Sequence, residues 1–187
     1  MNSFPSLYLD IILTLLFLFF NYFCQKNINF YQFKDQVIFQ KDEIVKADGK
    51  PYTVYTPYSK QWLLKFNDQN IEFFSSEKKL DNLLNIEKHN ITLEHIGFKK
   101  TNYLFESPKI NLEILEKYHE TRNLPTKETS QMSVHLRFGT ISTRKLVKLA
   151  SKLNDNTYLK ELIWREFFMQ ILWHFPKVIH HSFKEKY

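Results

Sequence analysis

The chain has 187 residues, enough for one domain, with or without an appendage, and enough to bury a core. It holds 3 glycines against 18 phenylalanines and 10 tyrosines, which excludes both the dinucleotide fingerprint and the P-loop, so a nucleotide has to be held on helix ends and side chains. The single cysteine, Cys24, excludes an internal disulfide, no Cys/His spacing matches a zinc site, and the whole net charge of +6 lies in residues 125–187 because residues 1–124 balance.

Residues 1–24 form a hydrophobic N-terminal segment in which, from Ile11 to Phe20, only Thr14 is not apolar. Asp10 and Asn21 interrupt the wider run over 7–23, which falls short of the about 20 apolar residues a spanning helix wants. No Lys or Arg precedes it, as a secretory signal requires. Three readings stay open: a short membrane anchor, a buried helix or strand, and a non-native start on a truncated gene.

Residues 25–106 read as a connector and linker with short helices. Val37, Ile38 and Phe39 make a short extended run, and Ala47-Asp48-Gly49-Lys50 is a turn. Pro51 and Pro57 bias their predecessors away from helix. Residues 59–66 fit a short helix with Trp62, Leu63 and Phe66 inward, and residues 67–106 carry no persistent period.

From 107 the pattern is helical. Leu112, Ile114, Leu115 and Tyr118 predict a helix ending before Leu124-Pro125, with Tyr118 and Arg122 one turn apart. Ser133 and Ser142 each precede an apolar-periodic run, so each is expected to cap a helix N-terminus with its hydroxyl. Two helix starts so close together are either simply two capped helices or a place where N–H groups converge on a phosphate. The basic residues Arg137, Arg144, Lys145, Lys148 and Lys152 are either candidate phosphate contacts or a solvated helix face.

The stretch Tyr158 to His174 predicts a helix apolar nearly all round and hence buried on most sides, closed by Pro176. Glu161, Arg165 and Glu166 interrupt it. Glu161 and Arg165 are spaced i,i+4 in the favourable order, beside Trp164 and Phe168. That group is either a structural ion pair or the wall of a pocket for a planar, polar ligand. His180 and His181 read as a solvated tail, and no metal site is expected.

The run Tyr118, Arg122, Pro125, Thr129, Ser130, Met132, Ser133, Leu136, Gly139, Ser142, followed by Glu161 to Phe167 (ELIWREF), resembles the DNA photolyase and cryptochrome flavoproteins. Residues 49–58 (GKPYTVYTPY) and Trp62 resemble an upstream segment of the same family in the same order, and the resemblance is set to begin at about Lys34-Asp35. It implies a mainly α fold: a partial photolyase-type helical FAD-binding domain over 107–187, preceded by the extended connector and the hydrophobic segment. Expected with it are the absence of the family's α/β antenna domain and of the second half of its flavin domain.

The resemblance further implies FAD as cofactor, with Tyr118, Thr129, Ser130, Met132, Ser133, Tyr158, Glu161, Arg165 and Phe168 as its contacts. It implies damaged DNA as partner, met by Arg122, Glu161, Trp164 and Arg165, with Glu161 and Trp164 in the catalytic role: Trp164 stacks on a flipped-out pyrimidine dimer and Glu161 hydrogen-bonds it. Asn123, Met132 and Phe168 depart mildly from residues common in that family. A complementary chain supplying the other half of the domain is a further expected partner. The expected location is cytoplasmic, with membrane attachment through residues 7–23 as the alternative. Two other functions stay open, a blue-light receptor without repair and a cofactor-free, membrane-tethered helical protein that binds nucleic acid or a partner.

Overall fold

The computed structural model describes residues 17–29, 31, 33–34, 36–67, 78–83, 91–102 and 106–184. Among them every regular element is helical; the expected extended run at Val37 to Phe39 is a pair of bends, and the only ladder contact is an isolated bridge between Val45 and Pro51. The chain divides into two compact units, one of residues 1–66 with 160–187 and one of residues 67–159.

The first unit contains α1 (residues 17–25), α2 (Tyr55–Asn67) and most of α7 (Thr157–His174), followed by a single-turn helix at Pro176–Ile179. In α1 the rings of Phe17, Phe19 and Tyr22 are exposed. Among the described residues no helix is long and apolar enough to cross a membrane; residues 1–16 of the hydrophobic segment lie outside them. The connector turns at Gly49, whose φ of 77° favours glycine, and Lys46 and Lys50 close the turn through a 2.9 Å backbone bond. Helix α2 starts at Tyr55, earlier than expected. Pro57 sits in its first turn, where a missing N–H and a fixed φ cost nothing.

The core of this unit is built around a charged residue. Glu166 is 2% exposed and lies on the face of α7 that also buries Leu162, Ile163, Phe167 and Gln170. Its Oε2 accepts the Ile38 N–H at 2.6 Å, and its Oε1 accepts the Phe39 N–H at 3.1 Å and the Trp62 indole N–H at 2.8 Å. Gln170 Nε2 donates to the Phe39 carbonyl at 3.2 Å, and the Phe39 and Trp62 rings meet edge to face at 5.3 Å. One carboxylate therefore ties the connector and α2 to α7. The bends at Ile38 and Phe39 exist because their amides turn inward to it rather than to a neighbouring strand. The opposite face of α7 corrects the expectation of burial on most sides: Phe168 is 60% exposed, Trp173 is 56% exposed, and Leu172 is also open.

The second unit contains short turns at Leu80–Asn82 and Glu94–Ile96, then α3 (Leu112–Glu116), α4 (Tyr118–Thr121), α5 (Met132–Phe138) and α6 (Thr143–Ala150). The single helix expected from Asn111 is two, broken at Lys117, and Asn111 caps the first by accepting the N–H groups of Glu113 and Ile114. Met132, Leu136, Ile141, Leu146, Val147, Ala150 and Tyr158 form the core. Gly139 ends α5 at φ 67°, the usual left-handed stop, and the buried His135 is held by a 2.8 Å bond between Nδ1 and the Thr140 hydroxyl.

Burial pushes the Glu166 carboxyl above the ordinary value of 4.5, against the pull of its three donors and of Arg165. A raised value means the folded chain holds a proton that the unfolded chain has already released. The part of its contribution that is linked to that proton is thus complete below 4.5 and lost as pH climbs through its folded value, while the bonds its oxygens accept remain. Glu166→Gln removes that pH dependence and puts an amide donor where only acceptors fit. Urea unfolding at neutral pH is expected to register a loss of roughly 2–4 kcal/mol.

Candidate functional site

The hydroxyl-rich segment before α5 lies wholly in the second unit. Gln131 adopts the left-handed conformation (φ 51°) and no side chain caps α5. Ser133 is the second residue of that helix rather than its cap, which corrects the sequence expectation: burial of Met132 draws the helix start forward. Ser142 does cap α6, its Oγ accepting the Lys145 N–H at 3.3 Å. Thr129 and Ser133 are exposed, and Ser130 is half-buried, accepting a 3.2 Å hydrogen bond from the Tyr158 hydroxyl. Burial raises the affinity of that hydroxyl for its proton, so Tyr158 acts as a donor. Tyr118 meets Tyr158 edge to face at 5.1 Å, and the Arg122 guanidinium lies 5.8 Å from the Tyr118 ring centre. Tyr118, Arg122, Ser130 and Tyr158 are therefore one connected group. Thr129, Met132 and Ser133 flank it in sequence.

The other predicted residues lie on α7 within the first unit. Trp164 stacks on Tyr55 with ring centres 3.6 Å apart and planes 6° from parallel, and Phe168 continues the strip at 5.4 Å and 25° from Trp164. The Tyr55 hydroxyl donates to the Lys160 carbonyl at 3.0 Å. Burial and the nearby Glu161 carboxylate push that phenol up to about 12. Arg165 also reaches the connector: Nη1 donates to the Gln36 carbonyl at 2.9 Å and Nη2 to the Gln36 side-chain oxygen at 2.8 Å. A planar guanidinium with two parallel donors suits that double acceptor. Glu161, Trp164 and Arg165 are half-buried, so all three keep a solvent-facing part.

Of the basic residues, Arg137, Lys145, Lys148 and Lys152 are exposed and Arg144 is half-buried. Among the described residues no group of His, Cys, Asp or Glu is placed to hold a metal ion. Two residues that matter were not singled out by the sequence. Tyr55 carries no signal in the sequence beyond its place in the upstream segment, and Glu166 looks like one more polar interruption of α7. Glu166 had a usable signal, its helical neighbours Leu162, Ile163 and Gln170 all falling on the buried face.

Known proteins resemble this chain in sequence. A sequence model of the DNA photolyase family matches residues 20–77, reaching back into α1 rather than starting near Lys34. A deoxyribodipyrimidine photo-lyase of Alkalihalophilus pseudofirmus is 26% identical over 179 residues, covering 83% of this chain and 36% of the relative. One from Halobacterium salinarum is 26% identical over 178 residues, covering 82% of this chain and 37% of the relative. One from Agrobacterium fabrum is 36% identical over 72 residues, 34% of this chain and 15% of the relative. The chain is thus similar in sequence to the DNA photolyase family over most of its length. It spans little more than a third of the length of the first two relatives.

The two serines separate cleanly in a stability measurement. Ser142→Ala deletes a cap and is expected to lower unfolding free energy by about 1 kcal/mol. Ser133→Ala, on an exposed helical position, is expected to change it by less than about 0.5 kcal/mol.

Proposed function

We propose that this chain is a photolyase-like flavoprotein that binds FAD and takes part in light-driven repair of cyclobutane pyrimidine dimers in DNA. The observation that carries the reading is the aromatic strip of α7, in which Trp164, the residue matched to the dimer-stacking tryptophan, keeps a half-open ring beside the exposed Phe168 within a chain related to photolyases over four fifths of its length. Aromatic rings held flat and partly open are what a base removed from its stack needs as a new partner. Glu161, half-exposed on the same helix, is the acceptor for the N–H edge of such a base.

The donor chemistry of residues 129–133 fits the diphosphate of FAD. Thr129 and Ser133 offer exposed hydroxyls on either side of the half-buried Ser130. Ser130 and Tyr158 are already bonded to each other, and Tyr118 packs on Tyr158, so these three hold the segment in place. Met132 anchors the helix start by its burial. FAD, when bound, supplies the light-absorbing electron donor. The chain's own residues orient it and hold the damaged base. Arg122 and the exposed cations of residues 137–152 contribute the salt-sensitive attraction to the DNA backbone. For Arg165 and Phe168 a cofactor contact, and for Arg165 a DNA contact as well, rests on the family resemblance alone.

Two measurements test this reading. The full chain, purified with excess FAD and freed of unbound flavin, is expected to keep a visible flavin band that weakens in the Thr129→Val/Ser133→Ala double variant. A folded chain with no retained flavin would overturn the flavoprotein assignment. Trp164→Ala is expected to weaken binding of an oligonucleotide carrying one thymine dimer by roughly ten- to a hundredfold while leaving an undamaged oligonucleotide unaffected. Equal loss for both DNAs would remove Trp164 from lesion recognition.

A further inference from the structure

We infer that Tyr55 is the positioning residue of Trp164: it closes one face of the indole and holds the ring at a fixed angle for a damaged base. The inference rests on the role proposed above for Trp164. Its own grounds are geometric. At 3.6 Å and 6° the Tyr55 and Trp164 rings are in full face contact, much tighter than the 5.4 Å offset between Trp164 and Phe168. The Tyr55 hydroxyl is bonded to the Lys160 carbonyl, the carbonyl four residues before Trp164 that in an α-helix receives the Trp164 N–H. The phenol is thus held at two points, by its ring on the indole and by its oxygen on the turn from which the indole springs.

Tyr55 can do this because it is the first residue of α2, with no preceding helical turn to crowd its side chain. Phe167 supports both rings edge-on, at 5.9 Å from Tyr55 and 5.7 Å from Trp164, and is itself buried. A half-exposed indole without such support changes rotamer on the picosecond to nanosecond scale, and each encounter with a base then has to order it first. Stacking against Tyr55 removes that ordering cost before the base arrives.

The test combines a binding cycle with a spectroscopic readout, both on the full chain. For the thymine-dimer oligonucleotide, Tyr55→Leu is expected to weaken binding about tenfold. Tyr55→Phe is expected to restore most of it, and Tyr55→Leu added to Trp164→Ala is expected to cost nothing beyond Trp164→Ala alone. Additive losses would overturn the inference, since Tyr55 would then act independently of Trp164. The near-UV circular dichroism lost on Trp164→Phe isolates the signal of that indole; it is expected to collapse in Tyr55→Leu and persist in Tyr55→Phe. An unchanged indole signal in folded Tyr55→Leu would overturn the inference as well. Should Tyr55→Leu unfold the chain, Tyr55→His, a smaller ring, takes its place in the same cycle. Failure of the unaltered chain to bind the oligonucleotide would overturn the DNA role of Trp164, while the spectroscopic arm would still decide whether Tyr55 holds the ring.

Discussion

A carboxylate buried among aromatic rings is a costly thing to fold, and the first unit is arranged to offset that cost at Glu166. Its two oxygens take three hydrogen bonds, from the amides of Ile38 and Phe39 and from the indole of Trp62. Removing any donor leaves a charge in an apolar interior, and removing the carboxylate orphans three donors at once. The arrangement therefore couples three separate stretches of sequence: an irregular connector, the middle of α2 and the middle of α7. A segment without regular secondary structure acquires a defined place because its backbone donors have a partner.

This anchoring sets what α7 shows to solvent. With Glu166, Ile163, Phe167 and Gln170 facing inward, the positions that remain outward are those of Glu161, Trp164, Arg165 and Phe168. Trp62 donating to Glu166 fixes the rotation of α2, and Tyr55 lies two turns earlier on the same helix, at Trp164. The buried pair and the exposed stack are thus two consequences of one register between α2 and α7. Arg165, reaching to Gln36 with both terminal nitrogens, fastens the same connector from the solvent side.

Much of this was legible in residue pattern. The span of α7 was readable to within a residue because eighteen positions pass without Gly or Pro before Pro176. Ser142 was readable as a cap because the run after it is strongly one-sided. Ser133 was not, since Met132, one position earlier, is as apolar as the residues that follow and its burial extends the helix backward. Burial of α7 on most sides was overread: apolar composition alone does not say which face finds a partner, and Phe168, Leu172 and Trp173 remain open. The Tyr55 to Trp164 stack joins residues more than a hundred positions apart, a pairing no local period encodes. The roles proposed for Trp164 and Ser130 rest on family likeness, and the contacts beneath them, Tyr55 on Trp164 and Tyr158 on Ser130, were not legible because they join residues far apart in the chain.

The claim that Glu166 organises the first unit is tested most directly by amide hydrogen exchange in the native chain. The account predicts that the Ile38 and Phe39 amides, although outside any helix, exchange as slowly as the buried core of α7, while the neighbouring Lys41 and Asp42 amides exchange freely. Exchange of Ile38 and Phe39 at the rate of those neighbours would contradict it, since the connector would then be an ordinary surface loop and Glu166 a buried charge without its principal partners.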